Sequence, residues 1–211
     1  PGSAMQRSLM LVGNREGAIE VYDAQDGNLM FHLPVEQQEK PLRDIVAGPI
    51  VAGNSIVAAS VSGIMRAWRR SGFEEDWSIE ESGLTHLAYD DVNKHVIAAG
   101  AGKILAVNVG SGQIQWRFHL DTGAATNLVL RSGHVYAADS AGGVLVLHAL
   151  TGKIVQWLLP RSRIVANVHS NAAGLYVVSE AGVVYAFKTV PKVKDTVFQD
   201  LSRGFIGWHG Q

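Results

Sequence analysis

His134-Val-Tyr-Ala-Ala-Asp139, followed after a short gap by Val144-Leu-Val-Leu-His148, is one of five copies of the same pattern in this chain of 211 residues. Each copy has four small or apolar residues that end in Gly, Ser or Asp, and then a second apolar run. The copies begin near residues 8, 55, 95, 134 and 174, so they lie 47, 40, 39 and 40 residues apart. A period near 40 made of short strand-like runs is typical of the blades of a β-propeller.

Each of the first four copies continues into a turn and a third run that carries an aromatic residue. In the third copy, Asn108 is followed by Gly112 and Trp116. A side chain such as Asn accepts hydrogen bonds from the backbone two residues on, and Gly adopts the positive φ of a tight turn. This pattern predicts turn glycines at Gly27, Gly72, Gly112 and Gly152, and an aromatic residue in the returning run at Phe31, Trp77, Trp116 and Trp157. Trp68 and His148 stand where the first copy has its turn Asp23.

A fourth strand per repeat is needed to complete a blade, and apolar runs between the aromatic strand and the next copy provide it. These runs are residues 43–50, 84–89, 126–130 and 164–169. Paired alanines such as Ala98 and Ala99 suit strands near the axis, where wedge-shaped blades converge and large side chains would collide. The sequence therefore predicts an all-β propeller of four-stranded antiparallel blades, about five in number.

The ends of the chain leave two interpretations of the ring open. Residues 195–198 have the character of an outer strand for the fifth blade, and residues 204–208 that of an inner strand for the first, which would close a five-blade ring without exposed edges. Alternatively, the repeats are part of a seven- or eight-bladed ring. Residues 1–5 resemble a cloning scar, and residues 6–211 are predicted to form a single propeller domain.

The composition excludes several classes of protein. With no cysteine, the chain has no disulfide, no thiolate chemistry and no cysteine-bound metal. A formal net charge of −1 gives no electrostatic argument for nucleic-acid binding. The charge is uneven, however: residues 1–100 carry 14 acidic and 8 basic side chains, and residues 101–211 carry 5 and 10. The uncharged run 45–65 contains turn residues at strand spacing, so we predict two strands there and no membrane span.

No motif in the chain predicts catalysis or cofactor binding. The eight histidines show neither His-x-His nor His-Glu-x-x-His spacing, which favours turn and surface roles over metal binding. Residues 100–103 read Gly-Ala-Gly-Lys but lead into a strand, whereas a phosphate-binding loop leads into a helix. There is no Gly-x-Ser-x-Gly element either. We therefore predict no catalytic, cofactor-binding or metal-binding residues.

The repeated string apolar-x-Asp/Asn-x-x-Thr/Ser/Asp-Gly-x-x-x-aromatic resembles the repeat of the quinoprotein-like (PQQ-like) β-propellers, whose motif is Ala-x-Asp-x-x-Thr-Gly-x-x-x-Trp. The resemblance extends from Ser8 to Phe187, and the fifth repeat loses the motif at Lys188-Thr-Val-Pro191. It implies that each outer-strand aromatic packs against the next blade. Phe31, Trp77, Trp116 and Trp157 would then be blade-docking residues, and Gly27, Gly72, Gly112 and Gly152 would lie in the turns.

The resemblance also bears on function. Quinone-dependent members of the family carry a vicinal disulfide and Glu, Asn and Asp calcium ligands, and none of these can be identified here, so the chain is similar to the non-enzymatic branch. That branch implies a scaffold with protein partners, similar to the outer-membrane assembly propellers of the bacterial envelope, in the periplasm or at the outer-membrane periphery. A sensor or regulatory module of a larger protein is the alternative, and a fragment of a quinone-dependent oxidoreductase is a remote one.

One hairpin stands out as a candidate partner surface. It contains Arg66, Trp68, Arg69 and Arg70, and both Trp and Arg are enriched at binding hot spots. The alternative interpretation is that residues 74–76, all acidic, pair with the arginines on the returning strand while Trp68 packs between blades.

Overall fold

The computed structural model describes residues 8–37, 42–140, 142–159, 168–171 and 174–187. These residues form 16 β-strands and no helix. The strands are β1 (Leu9–Gly13), β2 (Ala18–Asp23), β3 (Leu29–Pro34), β4 (Ile45–Ala52), β5 (Ser55–Ser60), β6 (Ile64–Arg69), β7 (Glu75–Glu80), β8 (Leu84–Asp90), β9 (His95–Asn108), β10 (Ile114–Arg131), β11 (His134–Asp139), β12 (Gly143–His148), β13 (Ile154–Leu158), β14 (His169–Asn171), β15 (Gly174–Val178) and β16 (Val184–Phe187).

The strands pair antiparallel in chain order and form five blade units that follow the five repeats. The first blade is β1–β2–β3, the second is β4–β5–β6–β7 and the fifth is β14–β15–β16. Between them lies a six-stranded sheet, β8 to β13, which contains two blades because β9 and β10 are long. The prediction of an all-β propeller is confirmed, and the inner strands begin and end within a few residues of the predicted runs.

The long strand β9 is a hairpin with two arms. Residues 95–100 pair with β8, and residues 103–107 pair with β10. The backbone N–H of Val109 donates to the carbonyl of Lys94, so the two ends of β9 lie side by side. The third blade therefore consists of β8, the two arms of β9 and the first half of β10, and the fourth consists of the second half of β10 with β11, β12 and β13.

Four apolar clusters hold the blades together, one at each junction. In β5, Ala58 packs toward the first blade, whereas Val57 and Ala59 pack toward the third. In β9, Ala98 faces the second blade and Ile97 faces the fourth. Successive side chains of a strand point to opposite faces, so a strand between two blades must be apolar on both. This is why the repeated runs are continuous apolar segments rather than alternating ones.

The first and fifth blades each bury one face against a neighbour and expose apolar residues on the other. In the first blade Ile19 and Val21 are buried, whereas Met10 is 48 % exposed; in the fifth, Leu175 is buried and Val184 is 61 % exposed. Residues 195–198 and 204–208, the predicted closing strands, lie outside the described residues. Within the described ranges, no helix is long and apolar enough to cross a membrane.

Candidate docking contacts and interaction surface

Trp77 joins the second blade to the third. Its indole N–H donates to the backbone carbonyl of Val109 over 2.8 Å, and its side chain is buried. The ring lies against Gly112, where a Cβ would come within 2.8 Å of the indole. Gly112 has φ +71°, so the turn both needs a residue without a side chain and offers the indole a flat backbone surface.

Trp116 makes the same contact from the third blade to the fourth. Its indole N–H donates to the carbonyl of Ala149 over 2.9 Å, and its ring packs on Gly152 at φ +67°. The hydrogen-bonded indole and the closely packed glycine thus recur one blade further round. A buried indole N–H needs such an acceptor, and the turn carbonyl supplies it.

Phe31 connects the first blade to the second by a different contact. Its ring centroid lies 4.2 Å from that of Phe73, and the rings are tilted by 36°. Phenylalanine has no N–H to donate, so this junction has ring packing without the indole hydrogen bond. Phe31 is 41 % exposed.

The structure corrects the predicted register of the second turn. The backbone N–H of Phe73 donates to the carbonyl of Arg69, as Gly112 donates to Asn108 and Gly152 to His148. Phe73, with φ +58°, therefore occupies the left-handed position that was assigned to Gly72. Arg69, not Trp68, stands at the turn Asp position. Gly72 lies one residue before Phe73, so its presence in the sequence predicts the same turn in a register that is wrong by one residue.

The structure does not place Trp157 where Trp77 and Trp116 lie. Trp116 is opposite Ala106 in its blade, but the equivalent partner in the fourth blade, Val146, is opposite Gln156. Trp157 follows Gly152 by five residues instead of four, and a shift of one residue turns a side chain to the other face of a sheet. Its indole lies over Gly143 of its own blade and is 46 % exposed.

The four residues proposed as a partner surface do not form one surface. Trp68 is 3 % exposed and packs with Ile19, Val21 and Leu33 between the first two blades. Arg66 is also buried, donating from Nε to the Val35 carbonyl and from a terminal nitrogen to Glu75. The alternative interpretation of this hairpin is therefore the better description of these two residues.

Arg69 and Arg70 are the members of that group that remain exposed. Arg69 forms ion pairs of 2.8 Å with Glu74 and 2.7 Å with Asp76. Arg70 is held through its backbone, whose N–H donates to the Asn54 carbonyl. Exposed pairs of this kind contribute little to stability, so the Arg69 guanidinium group can change partners at small cost.

An ionic cluster between the second and third blades was not anticipated from the sequence. The carboxylate of Glu81, 8 % exposed, accepts hydrogen bonds from Lys103 and Arg117 of the third blade. Burial acts to raise the pKa of Glu81, but the two cationic donors outweigh it and the pKa is lowered. Glu81 follows its blade's outer strand, and only the folded chain brings it to cations 22 and 36 residues away.

Glu36 occupies a related position between the first and second blades. Its carboxylate accepts a hydrogen bond of 2.5 Å from the Ser62 hydroxyl. Beside it lies an open cleft of about 360 Å³ lined by Gln37, Ile64, Arg66, Ser78, Ile79 and Glu80. No group of three or more His, Asp or Glu side chains arranged to hold a metal ion occurs among the described residues.

Comparisons with known proteins agree with this architecture. The chain is 24 % identical to BamB from Moraxella catarrhalis, with a TM-score of 0.75 over 90 % of this chain and 58 % of that one. The computationally designed protein Ika8 superposes with a TM-score of 0.69 at 17 % identity, over 88 % and 57 % of the two chains. At these identities the likeness establishes the fold alone, and the chain spans little more than half the length of either structure.

A curated relative and a family model complete the comparison. The serine/threonine-protein kinase AfsK of Streptomyces griseus is 25 % identical over 159 residues, which are 70 % of this chain but 19 % of the kinase. A model of PQQ-like repeats described as "Outer membrane protein assembly factor BamB" matches residues 1–118 and, in an overlapping match, residues 67–200. The predicted PQQ-like repeat is confirmed, and the chain belongs to this BamB-like family of PQQ-repeat β-propellers.

Proposed function

We propose that this chain is a non-enzymatic scaffold that binds a protein partner in the bacterial envelope, in the periplasm or at the periphery of the outer membrane. The observation that carries the proposal is the family match over residues 1–200, whose description is that of an outer-membrane assembly factor. The inter-blade contacts support it, because Trp77, Trp116 and Glu81 tie successive blades into a rigid body. A rigid body presents its loops in a constant geometry without needing reactive groups.

Arg69 and Arg70 are the residues we propose for partner contact. They are adjacent, both are exposed, and Arg69 can exchange its carboxylate partners Glu74 and Asp76 for those of another protein. Arginine is favoured at such contacts because its planar guanidinium group binds a carboxylate through two hydrogen bonds. The partner surface that fits this pair is acidic.

The experiment is a binding measurement with the soluble periplasmic domains of the outer-membrane assembly machinery from the same organism. Biolayer interferometry should show saturable binding by the unaltered chain and at least about tenfold weaker binding by Arg70→Glu. Arg15→Glu, an exposed turn residue of the first blade, is the matched control and should bind as the unaltered chain does. Absence of binding by the unaltered chain would contradict the envelope scaffold, and equal binding by Arg70→Glu would contradict this surface.

A second candidate function is a regulatory module attached to a larger protein. The AfsK match favours it, because the similarity is confined to 19 % of that kinase. The candidate function is that of the module alone and does not include the kinase reaction. Mass spectrometry of the protein isolated from its native cells separates the two functions: a polypeptide with additional domains supports the module.

The quinone-dependent oxidoreductase is the remaining enzymatic alternative, and it is tested directly. The purified chain is incubated with the quinone cofactor and calcium, passed through a desalting column and examined by absorbance. The scaffold proposal expects no quinone to elute with the protein. Stoichiometric co-elution would support the enzyme instead.

A further inference from the structure

The fourth blade brings two histidines together that the sequence separates. His134 on β11 lies directly opposite His148 on β12, and their ring centroids are 6.0 Å apart in an edge-on arrangement of 81°. The N–H of Ala149 donates to the carbonyl of Gly133. This hydrogen bond lies just outside the two histidines, so His134 and His148 are a non-hydrogen-bonded pair of the antiparallel ladder. In such pairs the Cα atoms are only about 4.5 Å apart and the side chains are at their closest.

Both histidines are held by short turns. Ser132 and Gly133, at φ +49° and +76°, form a two-residue turn that leads directly into His134. On the facing strand, the carbonyl of His148 accepts from the N–H groups of Thr151 and Gly152, and its own N–H donates to Lys153. The two imidazoles therefore project from backbone that is already positioned.

The hydrogen bond of the His134 ring determines which of its nitrogens is free. Nδ1 of His134 is 2.9 Å from the Ser132 carbonyl, which can only accept, so Nδ1 carries the hydrogen and Nε2 keeps its lone pair. Nδ1 of His148 is 3.4 Å from the Thr151 hydroxyl, which can either accept from it or donate to it. Histidines that bind metals are held in this manner: one ring nitrogen donates to a carbonyl or another acceptor, and the other binds the ion.

We propose that His134 and His148 form a two-histidine binding site for a divalent transition metal ion such as Zn²⁺ or Cu²⁺. Imidazole nitrogen is a preferred ligand of these ions, and ring centroids 6.0 Å apart are about as close as those of two imidazoles that bind one ion through bonds of about 2 Å. Two protein ligands leave coordination positions for water or for a side chain of a bound protein. The site is therefore an exchangeable one, unlike a closed four-ligand structural site.

The same position in the other blades provides an internal comparison. Leu9 faces Asp23, and Ser55 faces Arg69. In the third blade, the N–H of Val109 donates a hydrogen bond to the carbonyl of Lys94, and this places His95 next to Asn108. Among these described pairs, the one in the fourth blade has two imidazoles, so metal binding is expected there and not at its repeats.

The primary test is calorimetric titration of the whole chain with Zn²⁺. One equivalent should bind, and His148→Asn should weaken the affinity by about tenfold or more, because it leaves a single imidazole. Asparagine is the residue of the equivalent turn, where the Asn108 side chain accepts from Gly110 and Ser111, so this variant keeps a compatible turn. His119→Ala, which removes an exposed histidine of β10, is the control and should retain wild-type affinity.

A second readout identifies the ligands themselves. Electron paramagnetic resonance of the Cu²⁺-loaded chain should show two coupled imidazole nitrogens, and His134→Ala should show one. Circular dichroism of each variant establishes that its strands are intact. Unchanged Zn²⁺ affinity in His148→Asn, or no binding by the unaltered chain at millimolar Zn²⁺, would overturn the proposal.

Discussion

Trp116 and Trp157 end two turn motifs of the same repeated pattern, yet the folded chain uses them differently. Trp116 follows its turn glycine by four residues, packs on Gly152 of the next blade and donates to a turn carbonyl there. Trp157 follows its turn glycine by five residues, lies over Gly143 of its own blade and is nearly half exposed. The residue in the register of Trp116 is instead Gln156.

The difference shows what a docking motif depends on. The residue type supplies an indole and the turn glycine supplies a flat surface, but the spacing between them decides which face of the blade the indole occupies. A single additional residue therefore removes an inter-blade contact while leaving the motif recognisable. The junctions made by Trp77 and Trp116 should be the strong ones, and Trp157 should contribute little.

Removing the indoles tests this contrast with the largest expected effect. Trp77→Ala should lower the free energy of unfolding by about 3–5 kcal/mol, because it leaves a cavity and an unpaired carbonyl at Val109. Trp157→Ala should lower it by less than about 1 kcal/mol, since the side chain is nearly half exposed and makes no contact with the next blade like that of Trp116. Urea denaturation followed by circular dichroism measures both. Equal losses in the two variants would show that spacing does not matter.

The glycine beneath the indole can be tested separately from the indole. Gly112→Ala should lower the free energy of unfolding by about 2–4 kcal/mol. The alanine would have to adopt a left-handed backbone conformation, and its Cβ would collide with Trp77. Gly27 has a similar φ of +74° but no atom within 4 Å of an added Cβ. Gly27→Ala should therefore lower the free energy of unfolding by only about 1–2 kcal/mol, because only the backbone conformation is unfavourable for alanine there. A smaller loss in Gly112→Ala than in Gly27→Ala would argue against close packing at the indole.

The ionic cluster at the same junction should make stability depend on pH. Glu81→Gln should lower the free energy of unfolding by about 1–3 kcal/mol at pH 7, because Lys103 and Arg117 lose a buried charged acceptor. The folded-state pKa of Glu81 is lowered from 4.5, so its stabilisation is present above that value and disappears as the pH falls through the folded pKa.

Urea denaturation from pH 7 to pH 3 measures this dependence. The difference between the unaltered chain and Glu81→Gln should shrink at low pH. Glu74→Gln, at an exposed pair with Arg69, is the control and should change stability by less than about 0.5 kcal/mol at any pH. A constant difference across the titration would contradict the assignment of the effect to the Glu81 charge.

Among the three inter-blade contacts made by Phe31, Trp77 and Trp116, the one made by Phe31 should be the weakest. Phe31 stacks on Phe73 without an indole hydrogen bond and is 41 % exposed. Phe31→Ala should therefore cost about 1 kcal/mol, the usual contribution of an aromatic pair at a partly exposed site. Phe31→Trp tests whether an indole alone makes this junction as strong as the next two. The denaturation midpoint should equal that of the unaltered chain, because Phe73 occupies the position of the turn glycine on which an indole would pack.

Much of the fold was predictable because its signals are local. The apolar runs, their period near 40 and the turn glycines at Gly27, Gly112 and Gly152 depend on residues within one hairpin. The register of the second turn was not predictable from those signals. Phe73 adopts a left-handed φ that favours glycine, and the neighbouring Gly72 suggested a plausible but wrong alignment.

The candidate surface was less predictable than the fold because it depends on burial. Trp68 and Arg66 have the composition of a binding hot spot, but packing between the first two blades removes them from solvent. β6 lies between two blades, so its residues from Met65 to Trp68 are buried whichever face of the strand they occupy. Arg69 and Arg70, at the end of the strand and in the turn, are the exposed ones.

The sequence by itself determined that this chain is built from repeated β-hairpins of the PQQ-like family, because strand periodicity and turn chemistry are properties of short segments. Only the tertiary structure decided that Trp157 turns away from the next blade, that Glu81 meets two cations and that His134 faces His148. Each of these depends on the register between strands or on the approach of neighbouring blades. Strand register and the spacing between blades are set by the packing of the whole chain, which no short segment of sequence determines.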